Sequence, residues 1–237
     1  MLALVIVAAL TVLVVLVRDW IDRSSGPSAS SRASTSATSS APAATVRSPR
    51  FDAARAQLAA LTIKSWDRAQ DFKRYRFGQA WSDDVNIEFG HNGCNTRDDI
   101  LRRDLANLVV RPGTCFAQSG TLHDPYTGTT IDFVRGPDTS DSVEIDHVVS
   151  LADAWYKGAR LWDAQRRLDF ANDSINLLAV SPKANFDKAF RDAASWLPPN
   201  EAFRCDFVAR QVNVKTVYGL WVSEKEKQAM ADVLARC

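Results

Sequence analysis

No two cysteines of this chain stand at CxxC spacing. Cys94, Cys115, Cys205 and Cys237 are dispersed, which argues against a zinc site built by cysteine clustering. A surplus of charge is missing too: 29 Lys and Arg face 28 Asp and Glu, for a net charge of +1. A strongly basic total would point to a polyanionic partner. An enzyme that turns over on a polyanion needs only a local positive surface, so the balance neither supports nor excludes one. Histidine is scarce, with His91, His123 and His147 the whole supply. No zinc finger, homeodomain-like helix or large basic arm is present, so no sequence-reading module is expected.

What is present divides into three parts. Leu2 to Val17 is an apolar run broken only by Thr11. It is slightly short for a bilayer, and long enough if Arg18 to Ile21 are added with snorkelling. Residues 1–21 are therefore expected to be a membrane anchor or signal segment. No Lys or Arg precedes the run, while Arg18 and Arg23 follow it. Read strictly, that bias places the C-terminal side in the cytoplasm. Cysteine usage and the following linker argue for export, so an extracellular or cell-surface location is expected, with cleavage left open. Ala41-Pro42-Ala43 resembles a cleavage site but lies far from the apolar run. Residues 22–49, rich in Ser, Ala, Thr and Pro, hold too few large apolar groups to offset the entropy of ordering, and are expected to be a disordered tether. Residues 50–237 suffice for one domain with a sizeable core. Behind an export segment, four dispersed cysteines read as two disulfides. Of the three pairings, Cys94–Cys115 and Cys205–Cys237 are favoured because each pair is close in sequence. The alternative is four buried thiols.

Within the domain, Phe51, Ala54, Leu58 and Leu61 stand at helical spacing, predicting a helix over Phe51–Lys64. Trp66 to Trp81 interleaves aromatic and basic residues. Such a run either holds a nucleic-acid strand or presents half-buried rings beside solvated charges. Thr96–Asn107 reads as a helix capped by Thr96, with Asp99 at the capping-box position and Leu101, Leu105 and Leu108 as its stripe. Tyr126-Thr127-Gly128 marks a hairpin turn, followed by a strand over Ile131–Val134. Val143–Val149 alternates like a strand and carries Asp146-His147. After a helical or mixed insert from Ser150 to about Phe170, Ser174–Val180 reads as a second strand. Ser181-Pro182 then opens a helix to about Ala194 that carries Asn185 and Lys188. Val208–Tyr218 reads as scaffold, with Arg210 or Lys215 candidates to line a substrate path.

This order of strand, insert, strand and helix resembles the HNH endonuclease superfamily. The resemblance is carried by Glu144 to Trp155 (E-I-D-H-V-V-x-L-x-D-A-W), Phe170 to Val180 (F-A-N-D-x-x-N-L-L-A-V), and Asn185 to Lys188 (N-x-x-K). It extends to Cys94–Leu101, Asp124–Gly128 and Trp196–Asn200, and covers nearly everything after residue 70. The closer resemblance is to exported bacterial HNH proteins related to the C-terminal nuclease domain of modification-dependent restriction enzymes. It implies an α+β fold: a ββα-metal (HNH, His-Me finger) core over about residues 143–194, embedded in a larger, mostly helical domain.

The resemblance implies roles for individual residues. Hydrolysis of a phosphodiester needs a nucleophilic water, a base and a cation to hold developing charge. His147 is the expected base, since a neutral imidazole with an intrinsic pKa of about 6.5 suits that task. Asp146 and Asn185 are the expected metal ligands. Asn185 stands where other HNH proteins often carry His, so the donors are oxygen-rich and suit Mg2+ or Mn2+ rather than zinc or nickel. Asn176 corresponds to the middle Asn, which keeps the His-bearing segment in place. Accessory candidates are Glu144 near the metal, Lys188 and Arg97 toward phosphate, and His91 in a Gly-rich loop. Taken singly, each is more readily an ordinary polar group; the ordered set gives them weight. The expected function is metal-dependent endonucleolytic hydrolysis of DNA, with RNA also open. The alternatives are a non-catalytic exported protein that binds nucleic acid or an envelope partner, and a toxin-like nuclease effector. The expected partners are the nucleic-acid substrate and, if residues 1–21 are retained, the membrane; no particular protein partner is singled out.

Overall fold

The computed structural model describes residues 48–69 and 71–237. The expected anchor, the cleavage-like Ala41-Pro42-Ala43 and nearly all of the expected tether lie outside them. Among the described residues, no helix is long and apolar enough to cross a membrane.

The domain is α+β, with two small antiparallel sheets embedded in a helical surround. Its helices are α1 (Asp52–Ala60), α2 (Thr96–Asp104), α3 (Leu151–Tyr156), α4 (Ala164–Asn172), α5 (Pro182–Lys188), α6 (Arg204–Tyr218) and α7 (Glu224–Leu234). One sheet is the meander β1 (Leu105–Val110), β2 (Ala117–His123) and β3 (Thr130–Val134). The other pairs β4 (Glu144–His147) with β5 (Leu177–Val180), in a register that sets Asp146 opposite Leu178 and His147 opposite Leu177. Both faces of β5 are buried, in keeping with its Leu-Leu-Ala-Val sequence.

Several boundaries differ from the sequence expectation. Asn95, not Thr96, caps α2, its side chain accepting from the Asp98 N–H. That helix stops at Asp104 and turns directly into β1, so Leu105 and Leu108 are strand residues. Three residues apart, they would point to opposite faces of a regular strand, and the irregularity between them breaks that alternation. Asn107 takes a positive φ of 50° where the β1–β2 pairing is irregular, a conformation that Asn tolerates better than most residues. α1 ends at Ala60 rather than Lys64. α5 ends at Lys188 rather than Ala194, because Ala189 leaves the helix with φ 49°.

α1, α6 and α7 pack around one apolar core that reaches Val180 of β5 and Tyr126 of the β2–β3 turn. α6 closes on Gly219 in the left-handed region, and α7 opens with a capping box between Ser223 and Glu226. The two disulfides are Cys94–Cys115 and Cys205–Cys237, the pairing favoured from sequence. The second bridge pins the C-terminus to the start of α6. Ser48 is held there as well, donating its N–H to the Cys237 carbonyl.

Candidate active site

β4 delivers two consecutive polar residues to one wall. Strand neighbours ordinarily point to opposite faces, yet Asp146 and His147 both line a cavity of about 440 Å³, together with Glu144, Asn185 and Arg74. His147 is the last residue of β4, and its carbonyl is held by Lys188 Nζ at 2.8 Å.

His147 is buried. Its Nε2 lies 2.8 Å from the Ala171 carbonyl oxygen. A carbonyl only accepts, so Nε2 carries the proton and Nδ1 keeps a lone pair in the neutral ring. Burial, and next the charge of Arg74, push the His147 pKa down to about 3, so the ring is neutral at ordinary pH. Trp81 lies nearly parallel to it, with centroids 6.1 Å apart.

Asp146 accepts from Tyr126 Oη at 2.6 Å and from Lys188 Nζ at 3.0 Å. Burial pushes its carboxyl up, against the opposing pull of Lys188 and Tyr126. Burial, then the Asp146 charge, hold the tyrosine hydroxyl well above its usual value, so Tyr126 remains a donor. Asn185 meets Glu144 at 2.6 Å; since a carboxylate only accepts, the amide nitrogen faces Glu144 and the amide oxygen is left over. Asn176 bridges backbone: its Oδ1 accepts from the Val149 N–H and its Nδ2 donates to the Val149 carbonyl, fastening the segment after His147 to the start of β5.

A family model described as "GmrSD restriction endonucleases, C-terminal domain" matches residues 95–233, more than half of the chain, with Glu144, Asp146, His147, Asn176 and Asn185 inside the match and Arg74 and Trp81 before it. The chain belongs to that family. It is also 35% identical over 191 residues, 80% of its own length and 87% of the relative's, to an uncharacterized secreted protein of Arthroderma benhamiae. No solved structure matches it significantly. Membership of the GmrSD C-terminal family supports a nuclease-type function in general.

Of the candidates read from sequence, this GmrSD C-terminal domain brings Glu144, Asp146, His147 and Asn185 to one cavity, with Asn176 and Lys188 behind them. Lys188, expected to meet a phosphate, is fully buried with its ammonium on Asp146. Arg97 is not at the cavity: it donates to the Ser140 and Val143 carbonyls and ties down the approach to β4. His91 lies in its exposed loop, 3.8 Å from Asp84. Arg210 donates to the Leu177 carbonyl, and Lys215 is wholly buried among carboxylates, so Lys215 does not line a substrate path. The sequence does not mark Tyr126, Trp81 or Arg74 as site residues. Tyr126 reads there only as part of a turn, and the other two sit in the aromatic and basic run whose alternatives were open.

Among the described residues, no group of three or more His, Cys, Asp or Glu side chains is arranged to hold a metal ion. The donors at the cavity are oxygens from two carboxylates and one amide. Tyr126 and Lys188 leave part of the acceptor capacity of Asp146 unused. Such a set fits a hard divalent cation that keeps several waters and is held by one or two protein groups.

Proposed function

We propose that the chain is a metal-dependent endonuclease that hydrolyses phosphodiester bonds of DNA, with β4, β5 and α5 as its ββα-metal unit. The observation that carries this reading is the hydrogen bond from His147 Nε2–H to the Ala171 carbonyl. It selects the tautomer whose Nδ1 lone pair can take a proton, on the cavity wall that also presents Asp146 and Asn185. Water loses its proton to Nδ1 as its oxygen bonds to phosphorus and the opposite P–O bond breaks. The Ala171 carbonyl holds the ring in place and stabilises the imidazolium that forms. Asp146 and Asn185 would hold Mg2+ or Mn2+, which supplies charge stabilisation for the phosphate and the leaving oxygen. Lys188 and Tyr126 fix the Asp146 carboxylate, Asn176 fixes the backbone after His147, and Arg74 offers a cation to a phosphate at the cavity mouth. We further propose that residues 1–21 direct export as a signal or anchor, residues 22–49 act as a tether, and the nuclease domain works outside the cell. The naming of the Arthroderma relative as secreted and the two disulfides support this.

The test is cleavage of supercoiled plasmid by the oxidised full chain with Mg2+ or Mn2+, with EDTA, and with His147→Ala. Metal-dependent nicking that disappears in EDTA and in the variant is expected. Nicking unchanged by His147→Ala would remove His147 as the base. A folded wild-type protein inactive on duplex, single-stranded DNA and RNA would end the nuclease reading.

A further inference from the structure

The cavity at His147 does not stand alone. Phe72, Ala152 and Phe190 line both it and a neighbouring groove of about 470 Å³, which Trp66, Asp67, Arg68 and Tyr156 complete. On the other side, Arg74, His147 and Leu151 are shared with a third depression of about 280 Å³ bearing Tyr75 and Trp81. The three depressions therefore adjoin through shared residues and make up a trough around His147, with aromatic side chains in each part.

Its rings are exposed to a degree that a folded core does not explain. Phe190 is 59% exposed and Tyr75 75% exposed, and Phe186 at the cavity edge is more exposed still. Trp66 and Tyr156 already stack on each other, 5.1 Å apart and within 19° of parallel, so the groove holds one stacked aromatic pair. Arg68 in the groove and Arg74 at the junction add positive charge beside these apolar faces. Flat apolar rings with cations between them match the alternating bases and phosphates of an unpaired strand. In a duplex the bases are stacked and paired, and cannot present their faces to such a wall.

We propose that the trough is a single-strand track, and that the groove of Phe190, Trp66 and Tyr156 is a stacking subsite for an unpaired base adjacent to the scissile phosphate. Its occupant is a nucleic-acid single strand, and the site makes the enzyme prefer unpaired over duplex substrate. The inference rests on the nuclease reading above and adds the substrate class.

The experiment compares wild type, Phe190→Ala and Phe190→Trp in the oxidised full chain, all checked for an unchanged melting temperature. The first readout is kcat/KM on a short single strand relative to its duplex. The second is fluorescence of 2-aminopurine placed along a single strand bound to the His147→Ala protein, alone and combined with Phe190→Ala. Phe190→Ala is expected to lower the single-strand to duplex ratio about tenfold, within the range that loss of a base–aromatic stack produces. Phe190→Trp is expected to restore it, and 2-aminopurine at one position is expected to be quenched only when Phe190 is present. Cleavage by wild type with a ratio unmoved by Phe190→Ala, or quenching indifferent to it, overturns the subsite and leaves the nuclease reading standing. Absence of both cleavage and binding overturns both.

Discussion

Helix α3 adjoins two groups of buried polar side chains that use the same residue types to opposite ends. On one side Leu151 and Ala152 line the cavity with Asp146 and His147. On the other, Asp153 and the following Lys157 join Lys215 of α6, Glu226 of α7 and Asp192 in a sealed charge network. Lys157 reaches Asp153, Glu226 and Asp192 at 2.5, 2.7 and 2.8 Å, and Lys215 reaches Asp153 and Glu226 at 2.8 and 3.0 Å. Burial alone pulls the Lys157 ammonium down, but its three carboxylates more than reverse this and hold it above its usual value. At the cavity, burial wins instead: His147 faces no carboxylate and stays neutral. Burial of charge is thus a poor marker of function on its own. The two groups differ in what is left over. Each ammonium of the network is met by more than one carboxylate, whereas among the described residues the His147 Nδ1 and the Asn185 amide oxygen have no protein partner on the wall of a cavity.

The largest effect that tests this contrast is on rate. His147→Ala should lower plasmid cleavage by about 10²- to 10⁴-fold, the usual contribution of a general base, measured by nicking well below the melting temperature. In the network the response should be on stability. Lys215→Met leaves Asp153 and Glu226 short of a cation, and should cost about 3–5 kcal/mol by urea denaturation. Its specific activity, measured on the fraction still folded, should stay within a fewfold of wild type. A collapse of that rate in a folded Lys215→Met protein would erase the distinction between the two groups. Opening the Cys205–Cys237 bridge by a double Ser substitution should cost about 2–4 kcal/mol, again with little change in the rate of the folded protein.

The parts of this contrast differ in how far the sequence shows them. The alternation of Val143–Val149, the Ser181-Pro182 helix start and the cysteine spacings are local signals: β4 lies within the first, α5 starts at the second though it ends early, and both bridges join the cysteines that are close in sequence. The partners of Asp146 are not local. Tyr126 reaches it from a turn 20 residues earlier in the chain, and nothing within Asp-Pro-Tyr-Thr-Gly says where its hydroxyl ends. Lys188 looks like an exposed helical lysine until the early end of α5 at Ala189 and the packing of that short helix turn it inward. The charge network is equally hidden, because nothing in the sequence around Lys157, Lys215 or Glu226 ties one to another. Only the convergence of α3, α6 and α7 makes them a set. Trp81 meets His147 through a backbone at φ 59°, a conformation that its own sequence does not announce.

Asn176 belongs to neither group, and its effect should be the most informative. It is fully buried, and its amide satisfies both backbone groups of Val149. Asn176→Ala leaves a buried N–H and a buried carbonyl without partners, at about 1–3 kcal/mol for each group that water does not reach. If Asn176 were only structural, the rate of the folded fraction would be untouched, as for Lys215→Met. The Val149 amide lies two residues from His147, however, and the Val148 N–H also bonds to the Asn176 carbonyl. Release of this segment should therefore shift the His147 ring on its Ala171 partner. The expected outcome is a moderate loss of stability together with a fall in kcat and little change in KM, since substrate contacts along the trough remain. A stability loss with unaltered kcat would place Asn176 with the sealed network. A kcat loss without destabilisation would mean that the two backbone groups find water, and that the amide acts on the imidazole through position alone.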